Sequence, residues 1–245
     1  MSTPELRMRI AKLEAALKRS GDPMDAGFAT LSQNYRALRE QNPEVGGDLD
    51  KEWQRQAEGL AQLFAKPLGK STQEYIEGLP RFPQKLPEYE GRLDIPVLVQ
   101  VPQADRLPLS RMLDILGIAY SRNTVERMED WPEGKFVTPR KPYSTWLDDG
   151  TRYLGKAVKD VRIDLLLQER GATHLDGLGL YVKDPDILKD HFLDFPGSQV
   201  GPGRAPCLAR RVDRPWLGRG FVDDPGSRGG SVVAGRNIEV GTLAA

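Results

Sequence analysis

The stretch IPVLVQV, residues 95–101, decides the fold class. It is short, rich in β-branched residues and closed by Pro102, with a second proline, Pro96, inside its first turn of chain. That composition and those bounds predict a strand. It is also the first such run in the chain, because everything before residue 80 reads as helix. The fold is therefore predicted to be α+β: a helical N-terminal region followed by a mixed, loop-rich α+β domain.

Upstream, Thr3 and Pro4 form a helix start, and Leu6, Ile10, Leu13 and Leu17 follow on one helical face. Gly21 stops that helix. Asp22 and Pro23 open another, with Phe28, Leu31, Tyr35 and Leu38 as its stripe. The two suit a helical hairpin or a short coiled coil. A third helix is predicted over about 49–65, carrying Trp53, Leu60, Leu63 and Phe64. Residues 81–130 are predicted to be a connector: Pro80 precedes it and prolines at 83, 87, 96, 102 and 108 interrupt it, leaving the one strand and a helix near 109–117.

Downstream, residues 131–245 are predicted to form the α+β domain. KFVTPRKPYSTWL (135–147) has strand-like content, and Asp149-Gly150 suits a hairpin turn. A helix is predicted from Val158 to Arg170, ended by Gly171, with short helices near 175–182 and 184–192. Strands are expected near 206–212, 218–222 and 231–240.

Composition narrows the functional classes. Of 245 residues, 35 are basic and 35 acidic, so the whole molecule exerts no pull on nucleic acid or an anionic membrane. The single Cys207 excludes an internal disulfide and fits a reducing compartment. No apolar run reaches the ~18–20 residues that span a bilayer, and the charged N-terminus lacks the apolar core of a signal peptide. The expectation is a cytoplasmic protein with no membrane partner.

Fragments that resemble chemical motifs each have a plainer alternative. Gly69-Lys70-Ser71 ends like a phosphate-binding loop, but Phe64 stands where its first glycine belongs, and a helix precedes it where a strand should. Ser71 and Glu74 read instead as a capping box. His174, Asp176 and His191 have the ligand types of a two-histidine, one-carboxylate metal centre, and with Asp194 they would suit a metal-dependent hydrolase. Asp176 and Asp194 are the candidate catalytic carboxylates. Asp148 and Asp149 are explained by a turn, and Glu169 and Arg170 by a helix end. Ser198, in PGSQVG, does not lie in a hydrolase elbow. Cys207 has no local partner to activate it. No cofactor is expected.

Charge is uneven along the chain: residues 200–245 hold seven arginines, no lysine and four acids, a net charge of +3. Arg210, Arg211, Arg214 and Arg219 flank Trp216 and Phe221, a combination able to pair phosphates and stack bases. Asp213, Asp223 and Asp224 dilute it.

PYSTWLDDG (142–150), ERGATHLDGLGLYV (169–182), DILKDHFLDFPGSQVGPGRAPCL (186–208) and VAGR (233–236) together resemble a family of uncharacterised proteins of small uncultured bacteria. The shared pattern is P-Y-x-x-W, an aspartate-glycine turn, E-R-G-x-T, and P-G-S. The resemblance covers residues 140–237, implies a boundary near 130, carries no functional residue across and does not require His174. The leading expectation is a non-enzymatic interaction module that binds a partner or a second copy through its N-terminal helices. A nucleic-acid-binding face is the second expectation, and the metal-dependent hydrolase the third.

Overall fold

The computed structural model describes residues 49–83, 92–189, 191–211, 214–224 and 229–241. The helices expected over 4–17 and 23–38 lie outside them. The fold is α+β, with a helical segment leading into a strand-rich body.

The first described helix, α1 (Leu49–Phe64), buries Trp53, Gln56, Ala57, Leu60, Ala61 and Phe64, a 3–4 spacing that makes one face. A short helix, α2 (Thr72–Glu77), follows behind the expected capping box: Ser71 Oγ accepts from Glu74 N, and Glu74 accepts from Ser71 N. The predicted strand is β1 (Ile95–Val99). Its alternation splits two cores. Val97 and Val99 face the central one, while Leu98 faces a second built by Trp53, Leu60, Phe64 and Tyr75 with Leu107 and Met112. Gln56 reaches across to the open edge of β1, donating to Pro96 O and accepting from Leu98 N, both at 2.8 Å. An edge strand's unpaired groups are thereby satisfied by a helix side chain.

Next come α3 (Leu109–Ile115), β2 (Ala119–Tyr120), α4 (Arg122–Glu126) and β3 (Met128–Asp130). Then follow β4 (Tyr143–Leu147), α5 (Val158–Asp164), β5 (Glu169–Gly171) and α6 (His174–Lys183). The chain ends in β6 (Phe192–Asp194), β7 (Ser198–Val200), β8 (Arg204–Arg211), β9 (Arg214–Phe221), β10 (Gly229–Ser231), β11 (Val233–Gly235) and β12 (Glu239–Val240). One sheet runs β1-β4-β11-β5, with β12 also on β4; a second runs β10-β6-β8-β9-β2; β3 and β7 form a ribbon. The segment expected as a connector thus supplies three strands, β1, β2 and β3, that pair with strands formed from residue 143 onward.

Helix α6 lies between the two main sheets, and its glycines explain how. A Cβ at Gly177 would stand 2.0 Å from the Phe195 ring, and one at Gly179 would stand 2.8 Å from Val97. Residues two apart point to nearly opposite sides of a helix, so each glycine admits one wall of the core. Leu175, Leu178 and Leu180 fill what remains.

Several local expectations are corrected. The helix predicted over 158–170 ends at Asp164, because Glu169, Arg170 and Gly171 pair with Gly235, Ala234 and Val233 of β11. Gly171 caps nothing; its backbone abuts Gly197, where either residue's Cβ would sit within 2.4 Å of the other's backbone. Asp149-Gly150 makes no hairpin: β4 pairs with β1, β11 and β12, and the chain enters a 3-10 turn at Thr151–Tyr153. Only 143–147 of the 135–147 run is strand. The helix near 184–192 is a 3-10 turn, Pro185–Lys189.

Candidate functional site

Where Gly171 touches Gly197, the floor of a cleft of about 590 Å³ is laid. The loop 131–138 forms one wall. It is closed at its base by Thr138, whose N and Oγ1 donate to the Asp130 carboxylate at 2.8 and 2.6 Å, and it is tied to the floor by Trp131 N donating to Gly197 O at 2.9 Å. Within it, Lys135 takes a left-handed φ of 53°, the only non-glycine with positive φ among the described residues. Such a conformation is costly without Gly and marks places where surrounding structure over-determines the backbone. The opposite wall comes from α5 and the turn after it, with Arg162 and Leu165–Leu167.

Arg170 lies at the inner end. Its guanidinium makes a bidentate pair with Asp176, at 2.5 and 3.1 Å, and stacks 3.7 Å over the Phe136 ring. Asp176 also accepts from Tyr143 Oη at 2.8 Å and from Thr173 N and Oγ1 at 2.6 and 2.9 Å. Burial alone would raise the Asp176 pKa, but Arg170, Thr173 and Tyr143 outweigh it and hold the carboxyl below its ordinary range. The same carboxylate completes a capping box for α6. Within this guanidinium, Nε has no hydrogen-bond partner among the described residues.

Arg162 differs. It stacks 4.2 Å from the Trp131 ring and donates Nε to Pro196 O and Nη2 to Ser198 O, at 2.9 and 3.0 Å. Two of five N–H donors are thus used, both on neutral carbonyls. Among the described residues no carboxylate lies within ion-pair distance of it, and burial draws its pKa down to about 10 against the distant pull of Glu133. The cleft lining contains four cations, Lys135, Arg162, Arg170 and Arg236, against one acid, Glu133.

Beside the cleft, beyond Leu166, lies a smaller hollow of about 360 Å³ lined by Arg92, Arg152, Tyr153 and Lys156. Here charges are matched: Arg152 pairs with buried Glu169 at 2.8 Å and with buried Asp148 at 3.5 Å, and Lys156 pairs with Asp164. Asp148, expected to be a turn residue, is buried. It accepts from Val233 N at 2.7 Å and Gly150 N at 3.2 Å, and burial pushes its pKa up to about 7 although Arg152 opposes.

The residues singled out from sequence fall as follows. His174 is buried, its Nδ1 3.0 Å from Ser198 Oγ. That hydroxyl accepts from His174 N at 3.1 Å, leaving its proton for Nδ1, and burial lowers the imidazole pKa to about 4. His191 donates Nε2–H to Asp149 O at 2.7 Å. With Asp176 committed to Arg170, the three expected ligands have separate partners, and among the described residues no group of three or more His, Cys, Asp or Glu gathers as a metal site. Asp194 is raised to about 6 by burial, then by Asp224. Burial, then the Asp194 charge, pushes the Cys207 thiol up to about 12, far from a reactive thiolate.

The arginine-aromatic set lies on the β8–β9 hairpin, whose continuous register separates it. Arg211, Arg214 and Trp216 share one face; Arg210, Arg219 and Phe221 share the other. Arg211 stacks 5.0 Å from Trp216, and Arg204 stacks 4.5 Å from Phe221. The six do not make one surface.

Sequence reasoning missed Trp131, Lys135, Phe136, Arg162 and Arg236. A signal for the first three was WPEGKF (131–136), which puts two aromatics around a proline-glycine turn with one charge of each sign. Arg162 carried none, because a lone helical arginine looks like any solvated one. The chain matches no known protein family, no curated protein and no solved structure.

Proposed function

We propose that the protein is a binding protein for a phosphate-bearing small molecule, held in the cleft between loop 131–138 and α5. The observation that supports this reading is Arg162: a partly buried guanidinium, oriented by two carbonyls and an aromatic face, with unused donors and no counter-ion among the described residues. Partly burying a cation without an anion beside it is unfavourable. An arriving phosphate removes that penalty and accepts charge-assisted hydrogen bonds from a fork already in position. Lys135 and Arg236 add to the field, and Trp131, Phe136 and Leu165–Leu167 offer apolar and aromatic surface to the rest of the ligand.

This reading keeps the expectation of a non-enzymatic binding module but moves the binding from the N-terminal helices to the cleft. It is favoured over the nucleic-acid face because that face is divided by the strand register. Calorimetric titration of the full chain with inorganic phosphate and with a nucleoside monophosphate tests it. Saturable binding is expected, weakened about tenfold or more by Arg162→Gln, in line with the ~1.5–3 kcal/mol of a hydrogen bond to a charged group. Absence of binding, or an Arg162→Gln protein that binds unchanged, overturns it.

A further inference from the structure

The cleft lining holds one acid, Glu133, which an anion site does not need. It stands on the 3-10 turn Pro132–Gly134 of the loop, is exposed, and makes no hydrogen bond or ion pair with another described residue. It lies beyond ion-pair distance of Arg162, yet its charge is felt there, so it borders the phosphate subsite without filling it. A carboxylate offers acceptors and no donor. It therefore repels phosphate and rewards a ligand that carries hydrogen-bond donors next to its phosphate.

Charge and ring geometry narrow that ligand further. With Arg170 answered by Asp176, the lining keeps Lys135, Arg162 and Arg236 against Glu133, a net charge of +2. One phosphate monoester, at about −1.5 to −2 near neutrality, balances it. An ammonium group is a poor donor for Glu133 here, because the three cations repel it, whereas hydroxyls carry no such cost. A planar base gains by stacking on an open ring face. Arg162 already covers a face of Trp131 at 4.2 Å, and Arg170 a face of Phe136 at 3.7 Å. Gly134 approaches Trp131 so closely that a Cβ there would stand 2.9 Å from Cε3. The cleft thus offers a base less than it offers a polyol.

We propose that the ligand is the phosphate monoester of a sugar or polyol, with its phosphate on Arg162 and its hydroxyls donating to Glu133. The proposal rests on the reading of the cleft as a phosphate site and names the rest of the molecule. Glu133 and Lys135 stand two residues apart on one loop, so that wall presents an acceptor and a cation together, while α5 presents the unused donors of Arg162.

The experiment is calorimetric titration of the full chain with inorganic phosphate, ribose 5-phosphate and adenosine monophosphate, on the wild-type protein and on Glu133→Ala. Ribose 5-phosphate is expected to bind the wild type about tenfold more tightly than inorganic phosphate, the effect of hydrogen bonds to a charged acceptor, and about as tightly as adenosine monophosphate. In Glu133→Ala the two affinities move in opposite directions. Inorganic phosphate gains about twofold, because a like charge has left its surroundings, and ribose 5-phosphate loses its advantage. Glu133 is exposed, so the variant is expected to fold, which circular dichroism checks; the wild-type comparisons decide the matter whatever the variant does. Ribose 5-phosphate that binds no better than inorganic phosphate overturns the proposal and leaves the cleft reading standing. Adenosine monophosphate binding about tenfold more tightly than ribose 5-phosphate overturns it in favour of a base, and an advantage that Glu133→Ala retains overturns the role of Glu133. Absence of binding by all three ligands overturns the cleft reading itself.

Discussion

Arg170 and Arg162 open onto one cleft and stack on aromatic rings of one loop, yet they stand in opposite electrostatic conditions. Arg170 is 2% exposed, and its charge is answered by Asp176, which Tyr143 and Thr173 orient in turn. Arg162 is less buried and, among the described residues, is answered by two carbonyl dipoles and the Trp131 ring. A buried charge paired with an anion that is itself held by hydrogen bonds is part of the folded framework; removing one partner exposes the full desolvation penalty of the other. A charge positioned without a counter-ion has its strongest interaction still to make.

The comparison breaks most sharply at Asp176. Asp176→Asn leaves Arg170 buried without its anion and is expected to cost about 3–5 kcal/mol of stability, read as a lowered urea midpoint at unchanged m-value. Arg162→Gln removes no partnered charge and is expected to shift that midpoint by less than about 1 kcal/mol. If the two substitutions cost the same, the distinction between a framework arginine and a binding arginine fails.

A smaller effect separates the cleft from the charge-matched hollow beside it. Asp148 is buried, and its folded pKa of about 7 lies above the ordinary 3.8. Between roughly pH 4 and 7 the unfolded chain is therefore ionised at this position while the folded protein retains the proton. Stability falls as pH rises through that window, by up to about 1.4 kcal/mol per pH unit, and levels above pH 7. Asp148→Asn keeps an acceptor for Val233 N and removes the titration, so the difference between wild-type and variant stability should slope through the window. His174, lowered to about 4, adds the opposite trend below pH 6.5 in both proteins and cancels in the difference. A flat difference would mean that Arg152 keeps Asp148 ionised throughout.

The sequence revealed what depends on local signals. The strand at 95–99, the helix at 49–64 and the Ser71–Glu74 box were legible because their causes lie within a few residues: a β-branched run, a 3–4 apolar spacing, a serine three positions before a glutamate. Glu169 and Arg170 were misread as a helix end because what removes them from the helix is β11, more than sixty residues later. The cleft was illegible for the same reason. Its floor is a contact between Gly171 and Gly197, and its decisive feature, that no described acid pairs with Arg162, is a property of spatial neighbours. His174 and Asp176 attracted notice by residue type, and their roles here are packing and charge compensation.

The two capping boxes sharpen the comparison at its lowest energy. Thr173 with Asp176 and Ser71 with Glu74 are the same device, an N-cap hydroxyl and a carboxylate three residues on exchanging hydrogen bonds. The first is buried and its acid also carries Arg170; the second is exposed and its acid serves only the cap. Glu74 is held below its ordinary pKa by the side-chain and backbone hydrogen bonds of Ser71. Ser71→Ala is expected to cost about 1 kcal/mol, typical of a lost serine cap, and to leave phosphate binding unchanged. Thr173→Ala should cost distinctly more, because the donor lost to Asp176 lies where water cannot replace it. Equal costs in the two urea titrations would show that burial and the Arg170 charge add nothing to the cap, and that the α6 network is no firmer than a surface turn.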